Sequence, residues 1–200
     1  MGLFDLEEHF AFYGAYHRNP VNILLHTLFV WPIFFTALIL FYFTPPLCDL
    51  SHIGFVPSAF LDQGYVLNFG FLFALFYGLF YMCLDKKSGS LAALLCLVCW
   101  VGASSVAMRL GFSLAWKVVL ASQLFCWTGQ FLGHGVFEKR APALLDNLVQ
   151  AFLMAPFFVL LEALQFCCDY EPYPGFHEGV KAKIEAELKE FEGRKQNKIS

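Results

Sequence analysis

Four side chains with metal-binding chemistry stand in two distant segments of the sequence. His17 and His26 lie in YHRNPVNILLH, and His134 and Glu138 lie in GHGVFEKR. Neutral imidazoles together with a carboxylate form a ligand set that suits divalent iron or zinc. A single histidine in an apolar segment is more often a packed residue with one hydrogen bond. The metal hypothesis therefore depends on the two segments meeting in space.

Local sequence signals predict how these side chains are presented. Asn19 followed by Pro20 is typical of a helix start, because asparagine caps helices and proline fits the first turn. His26 would then lie about 10 Å along that helix, at about 1.5 Å per residue. If residues 134–138 are helical, His134 and Glu138 share one face. Gln130, one turn earlier, is expected to hydrogen-bond a ligand or a metal-bound group, or else to join two helices.

The composition indicates a membrane protein. The chain of 200 residues is 58% hydrophobic and 14% charged, whereas soluble domains are roughly half apolar and roughly a quarter charged. The net charge of −3 argues against a nucleic-acid partner, which needs a basic surface. The length permits one membrane-embedded domain over residues 1–200, in which residues 177–200 form a charged tail.

Apolar segments of membrane-spanning length recur along the chain. Four are convincing, and a fifth, interrupted by Pro156, either crosses the bilayer or turns back within it. The five segments are residues 24–43, 65–84, 91–108, 114–133 and 148–166. We therefore predict an all-α polytopic membrane protein, a helical bundle of four to five membrane segments with short surface helices at both termini. In the fourth segment Lys117, Gln123 and Gln130 should face protein or a cavity, because polar groups facing lipid are costly.

The distribution of basic residues predicts the orientation in the membrane. Five basic residues flank the apolar segments on one side, Arg18, Lys86, Lys87, Lys139 and Arg140, and the loop at residues 44–64 has none; Arg109 and Lys117 lie at the other face and count against this orientation. The N-terminus, residues 85–90 and residues 134–147 should therefore share the cytosolic side. This places the two histidine segments at one membrane surface, and three histidines meeting there favour a metal site.

For the remaining histidines and for Glu162, the sequence predicts only the surroundings of the side chain. His52 and His177 should be solvated, and His9 should face water or serve as a spare ligand. The apolar sequence around Glu162 predicts that its side chain is buried, and we expect it to pair with Lys117, Arg140 or a histidine.

The two histidine segments resemble the signature of the membrane 2-hydroxy fatty acid dioxygenases. The resemblance extends from about residue 2 to residue 170 and includes GLFDLEEHFAFYGAYH and GQFLGHGVFEKRAPALLDNLVQAFLMAPFF. It implies a multi-pass protein of the endoplasmic reticulum membrane with its metal site on the cytosolic side. It also implies an enzyme of phytosphingosine breakdown that uses Fe(2+) and O₂ to shorten a 2-hydroxy long-chain fatty acid by one carbon.

The resemblance also implies roles for individual residues. His17, His26, His134 and Glu138 match the histidines and the carboxylate of the two family blocks and are expected at the iron. Apart from the resemblance, we expect Gln130 and Glu138 to act in catalysis. The residues that we expect to contact the substrate are Arg18, Asn22, Arg140 and Glu162. Where some relatives have a histidine near the end of the third segment, this chain has AMRLG around Arg109.

Two other functions fit parts of the pattern. A zinc-dependent membrane lipid amidase would use the same ligand types, and metal analysis with an O₂-consumption assay separates it from an iron enzyme. A small transporter or scaffold would need no metal, but it should show inverted repeats or a polar path across the bilayer. Here the polar residues gather at one end, which favours an enzyme site at the surface.

Overall fold

The computed structural model describes residues 2–47, 67–142 and 147–197, and this part of the chain forms helices and no strands. The α-helices are α1 Leu6–Tyr16, α2 Pro20–Tyr42, α3 Phe69–Leu84, α4 Lys86–Leu132, α5 Ala155–Cys168 and α6 Phe176–Asn197. Two π-helical segments, Gly133–Glu138 and Gln150–Met154, precede and follow the gap at residues 143–146. The predicted all-α class is confirmed. His52 and most of the predicted loop at residues 44–64 lie outside the described residues.

Several helices are long and apolar enough to cross a membrane. Within the described residues these are Pro20–Tyr42, Lys86–Glu138 and Gln150–Cys168, and Phe69–Leu84 is apolar but shorter. Large apolar side chains are exposed along them, among them Leu94, Val98, Phe112, Leu124 and Phe125. An exposed apolar surface of this extent is typical of helices that face lipid.

Two prolines that lie within the predicted apolar segments are accommodated in helical structure. Helix α2 continues through Pro32, and the hydroxyl of Thr36 donates to the carbonyl of Pro32 at 2.7 Å. Pro156 is the second residue of α5 and directly follows the π-helical segment Gln150–Met154, with which α5 forms one continuous helix. The predicted fifth segment is therefore helical through Cys168.

Gly111 divides the long helix α4 into two parts. Its φ of 65° and ψ of 161° are not helical, and this conformation is essentially open to glycine alone. Residues 86–110 and 112–132 are about 38 Å and about 32 Å long at about 1.5 Å per residue, and the hydrocarbon core of a bilayer is about 30 Å thick. The predicted third and fourth segments thus correspond to two parts of α4 joined at a glycine.

The sequence DKKSGS at residues 85–90 predicts a short charged turn, but only Asp85 lies outside a helix. Asp85 ends α3, and α4 begins at the next position. The Asp85 carboxylate accepts hydrogen bonds from the Ser88 backbone N–H at 2.7 Å and from its hydroxyl at 2.6 Å. Because the side chain caps the start of α4, the remaining residues of the predicted turn are helical.

The described chain forms two compact units. The first unit consists of residues 1–28 and 129–200, and the second unit consists of residues 29–128. Helices α2 and α4 each contribute residues to both units. The prediction of one domain over residues 1–200 stays a prediction.

In the second unit, polar side chains of α4 differ in environment. Gln123 donates to the carbonyl of Ile33 at 2.9 Å and to the hydroxyl of Thr36 at 2.8 Å, so its predicted position against protein is confirmed. The same prediction for Lys117 is wrong, because that residue is exposed. Its ammonium group lies 5.8 Å from the Trp116 ring centroid, which offers a cation–π contact.

In the first unit, aromatic rings join three helices. Phe10 of α1 lies 5.5 Å from Phe158 of α5 and 5.7 Å from Phe176 of α6, measured between ring centroids. All three rings are buried. The charged tail predicted at residues 177–200 therefore belongs to a helix that packs on α1 through an apolar face.

Polar contacts also hold α6 against α1. The Lys183 ammonium lies 3.0 Å from a carboxylate oxygen of Glu7, and the Tyr173 hydroxyl donates to the other oxygen. The Tyr173 hydrogen bond and then the Lys183 cation lower the pKa of Glu7. These contacts are exposed, so they specify how α6 lies on α1 more than they stabilise the unit.

Two histidines that were expected to be solvated are not. His9 is 5% exposed; its Nε2 donates to the carbonyl of Gly2 at 3.0 Å, and its Nδ1 accepts from the amide of Gln150 at 2.8 Å. The expectation that His9 faces water is wrong because α1 packs against the segment that carries Gln150. His177 is half-buried and contacts the carbonyl of Tyr170 at 3.1 Å.

Candidate metal centre

Three helical elements of the first unit present one histidine each. His17 immediately follows α1, and its backbone N–H bonds to the carbonyl of Gly14. His26 lies in α2, whose start at Pro20 confirms the sequence prediction; the side chain of Asn19 accepts from the N–H of Val21 at 2.9 Å. His134 lies in the π-helical segment that continues α4.

The three imidazoles converge on one buried point. The ring centroids of His17 and His26 are 4.3 Å apart, those of His17 and His134 4.9 Å, and those of His26 and His134 4.8 Å. Each offers a ring nitrogen, and these nitrogens all lie within 4.8 Å of one another. The side chains are 8%, 5% and 4% exposed. The two histidine segments thus meet; that these residues bind a metal stays a prediction.

Hydrogen bonds to backbone carbonyls orient two of the rings. The Nδ1 of His17 lies 2.8 Å from the carbonyl oxygen of Tyr13, and the Nδ1 of His26 lies 2.9 Å from that of Asn22. A carbonyl oxygen only accepts, so each Nδ1 carries the proton and each Nε2 keeps a lone pair. Metal-binding histidines usually donate their second ring N–H in this way.

Several buried polar atoms at the cluster have no hydrogen-bond partner. They are Nε2 of His17, Nδ1 of His134, Oδ1 of Asn22 and Nε2 of Gln130. Unsatisfied buried polar atoms are rare in native proteins, and a bound ion is one explanation for them. The donor set therefore fits a divalent metal ion held by imidazole nitrogens.

The protonation of His17 is consistent with this fit. Burial, followed by the neighbouring His26, holds the pKa of His17 well below its usual range. The ring is therefore neutral at physiological pH, and only a neutral imidazole has a lone pair to offer a metal.

Within the part of the chain that the structure describes, the possible metal-binding group consists of His17, His26 and His134 and does not include Glu138. One of its carboxylate oxygens accepts from the backbone N–H of Arg18 at 3.0 Å, from that of Asn19 at 2.9 Å and from the side-chain amide of Asn22 at 3.3 Å. A carboxylate at this position satisfies free N–H groups at the helix start and complements the helix dipole. Glu138 thus ties the segment after α4 to the chain between His17 and His26.

Contrary to the prediction from the sequence pattern, His134 and Glu138 do not share one helix face. The sequence pattern assumed an α-helix, in which residues four apart share a face, but Gly133–Glu138 is π-helical. Its hydrogen bonds run from residue i to residue i+5, which widens the turn. The wider turn separates the two roles: His134 faces the cluster, and Glu138 reaches the start of α2.

The residues that were predicted to contact the substrate differ from one another in burial and in hydrogen-bond partners. Arg140 donates to the carbonyl of Ala15 at 2.8 Å, and its guanidinium carbon lies 3.6 Å from the centroid of the Tyr16 ring. Arg140 thus packs against the end of α1. Arg18 is exposed beside His17, whereas Asn22 is fully buried.

Glu162 pairs with a residue that the sequence analysis did not single out. Its expected partners were Lys117, Arg140 or a histidine, but its carboxylate accepts from the hydroxyl of Tyr13 at 2.8 Å. The Tyr13 ring stacks on His17, with centroids 4.0 Å apart. Burial, followed by Glu162, raises the pKa of Tyr13. The spacing of Tyr13 and His17, one helical turn apart, is the sequence signal that could have revealed this contact.

Comparison with known proteins places the chain near one group of enzymes. Residues 3–167 match a family model described as 2-hydroxy-palmitic acid dioxygenase Mpo1-like. The chain is 36% identical over 187 residues to 2-hydroxy-palmitic acid dioxygenase MPO1 of Saccharomyces cerevisiae, an alignment that covers 94% of this chain and 91% of the yeast protein. No solved structure matches the chain.

Proposed function

The chain belongs to the Mpo1-like family, and from this premise we propose that it is an Fe(II)-dependent dioxygenase that removes one carbon from 2-hydroxy long-chain fatty acids. The observation that carries the proposal is the convergence of His17, His26 and His134, with ring nitrogens left free at a buried point. The reaction balances when one 2-hydroxy acid and one O₂ give the acid shorter by one carbon, CO₂ and water.

Iron held by these three histidines would supply redox chemistry towards O₂ and open positions for O₂ and for the 2-hydroxyl group of the substrate. The protein orients the rings through the Nδ1 bonds of His17 and His26. Burial of the three side chains excludes bulk water from the reacting groups.

Two further residues have proposed roles at this centre. Gln130 is 8% exposed, and its amide nitrogen has no partner; we assign it as a donor to an oxygen of the bound substrate, and hence as a catalytic residue. Glu138 acts as a positioning residue, because its carboxylate anchors the start of α2.

The proposed setting is the endoplasmic reticulum membrane, in sphingolipid breakdown. The apolar helices support a lipid environment, and the flanking basic residues support a metal centre on the cytosolic side. A substrate with a polar head and an apolar tail suits a centre built where helices leave the bilayer.

Anaerobic purification followed by metal quantitation and Fe(II) add-back tests the function. We expect one iron per chain and consumption of one O₂ for each 2-hydroxypalmitate shortened to the C15 acid. Palmitate, which lacks the 2-hydroxyl group, is the control substrate and should consume no O₂. A protein that is active with zinc, or that hydrolyses an amide without O₂, would instead be the lipid amidase.

A further inference from the structure

A cavity of about 490 Å³ adjoins the histidine cluster within the first unit. Helices α1, α5 and α6 contribute its walls, and His17 is one of the lining residues. Its size lies within the range of about 300–1,000 Å³ that is usual for small-molecule sites. A molecule in this cavity would therefore reach a residue of the proposed metal centre.

The lining of the cavity combines apolar walls with cations. Phe10, Val180 and Ile184 supply apolar surface, and Arg18 and Lys181 supply positive charge. Both cations are exposed, so they stand where the cavity opens to the surface. This pattern suits an amphiphile that has an anionic head and an apolar chain.

The acidic residue that lines the cavity is hydrogen-bonded to a tyrosine. Glu162 is the lining carboxylate, and it accepts a hydrogen bond from Tyr13. Lys183, two residues from Lys181, is held by Glu7 at 3.0 Å, which fixes this part of α6 against α1. The contact between Lys183 and Glu7 therefore also fixes the position of Lys181 in the cavity wall.

We propose that this cavity binds the polar end of the substrate, with Arg18 and Lys181 binding its carboxylate. The inference rests on the proposed function, and it identifies α6 as part of the substrate site. Lys181 lies beyond residue 167, where the match to the family model ends. The site therefore extends into the charged tail that was predicted at residues 177–200.

Binding to metal-free protein without O₂ tests the assignment independently of turnover. The probes are radiolabelled 2-hydroxypalmitate and its methyl ester, and the variants are Lys181→Gln, Arg18→Gln and the double variant. Each single variant removes one charge-assisted contact to the carboxylate, so each should bind the acid about tenfold more weakly, which corresponds to about 1.4 kcal/mol. Binding of the uncharged ester should not change.

Lys189→Gln is the matched control, because it removes the same charge from an exposed position of α6 outside the cavity. Unchanged binding of the acid to the double variant, or equal weakening in Lys189→Gln, would overturn the assignment. Turnover by the wild-type protein separates the two proposals. Wild-type protein that is inactive with Fe(II) and O₂ contradicts the function, whereas an active wild type with unaffected variants contradicts the cavity assignment alone.

Discussion

At the scale of single residues, hydrogen bonding distinguishes the histidines that can bind a metal from one that cannot. Both ring nitrogens of His9 are engaged, by Gly2 and Gln150. His17 and His26 use only Nδ1 in this way, and the Nδ1 of His134 is buried without a partner. Burial alone would not separate these side chains, because all four are less than a tenth exposed.

We expect His26→Ala and His134→Ala each to abolish iron binding and turnover of 2-hydroxypalmitate, since each removes one of three proposed ligands. Membrane insertion should persist, because it depends on the apolar segments. Iron per folded chain and O₂ consumption are the measurements. His9→Ala is the control for loss of a buried imidazole, and its folded fraction should keep its iron.

The same measurements decide the role of Glu138. Because its carboxylate caps α2, Glu138→Gln should weaken the folded state by about 1 kcal/mol and retain most of the iron. Loss of iron as complete as in His26→Ala would show instead that Glu138 is a ligand. Full activity of both His26→Ala and His134→Ala would refute the assigned histidine roles.

At the scale of elements, the π-helical segment Gly133–Glu138 and the start of α2 form one closely packed contact. A Cβ at Gly133 would lie 2.4 Å from Oδ1 of Asn22, and Asn22 is fully buried. Asn22 also supplies the carbonyl that orients His26. A glycine at 133 is therefore needed for α2 to approach the segment that carries His134.

Gly133→Ala should destabilise the protein by about 1–3 kcal/mol, as overpacking of a buried contact does, and should lower its affinity for iron. Gly135→Ala is the matched control within the same segment, because no atom lies within 4 Å of a Cβ there. Thermal unfolding and iron titration of both variants measure the effect. Equal behaviour of the two variants would contradict the packing argument.

At the scale of the whole molecule, the positions of charged residues predict how the chain crosses the membrane. Arg18, Lys139 and Arg140 lie in the histidine segments, and residues 44–64 carry no basic residue. By the positive-inside rule, the N-terminus should be cytosolic and residues 44–64 should lie on the opposite side. The substrate's carboxylate would then reach the centre from the cytosolic surface.

Glycosylation acceptor sites test this orientation in microsomes. An acceptor placed within residues 48–64 should be glycosylated, whereas one placed before residue 2 should not. The second acceptor is the control for misinsertion, because its modification would reveal inverted chains. Glycosylation of the N-terminal acceptor alone would contradict the predicted topology.

The sequence by itself determined the class of fold and the identity of the candidate ligands. Apolar segments of membrane length specify helices, because a backbone in lipid must satisfy its own hydrogen bonds. Asn19 and Pro20 specified the start of α2 through interactions within a few residues. The histidines were recognisable because imidazole is unusual among apolar residues and because the flanking charges predict that the two segments share one side of the membrane.

Only the tertiary structure decided which partners these side chains have. The cap formed by Glu138 joins positions about 120 apart in the chain, and the bond from His9 to Gln150 spans 141. The cavity wall formed by α6 likewise depends on packing against α1. Such contacts follow from the complementary shapes of packed helices, which local patterns of hydrophobicity and charge do not encode.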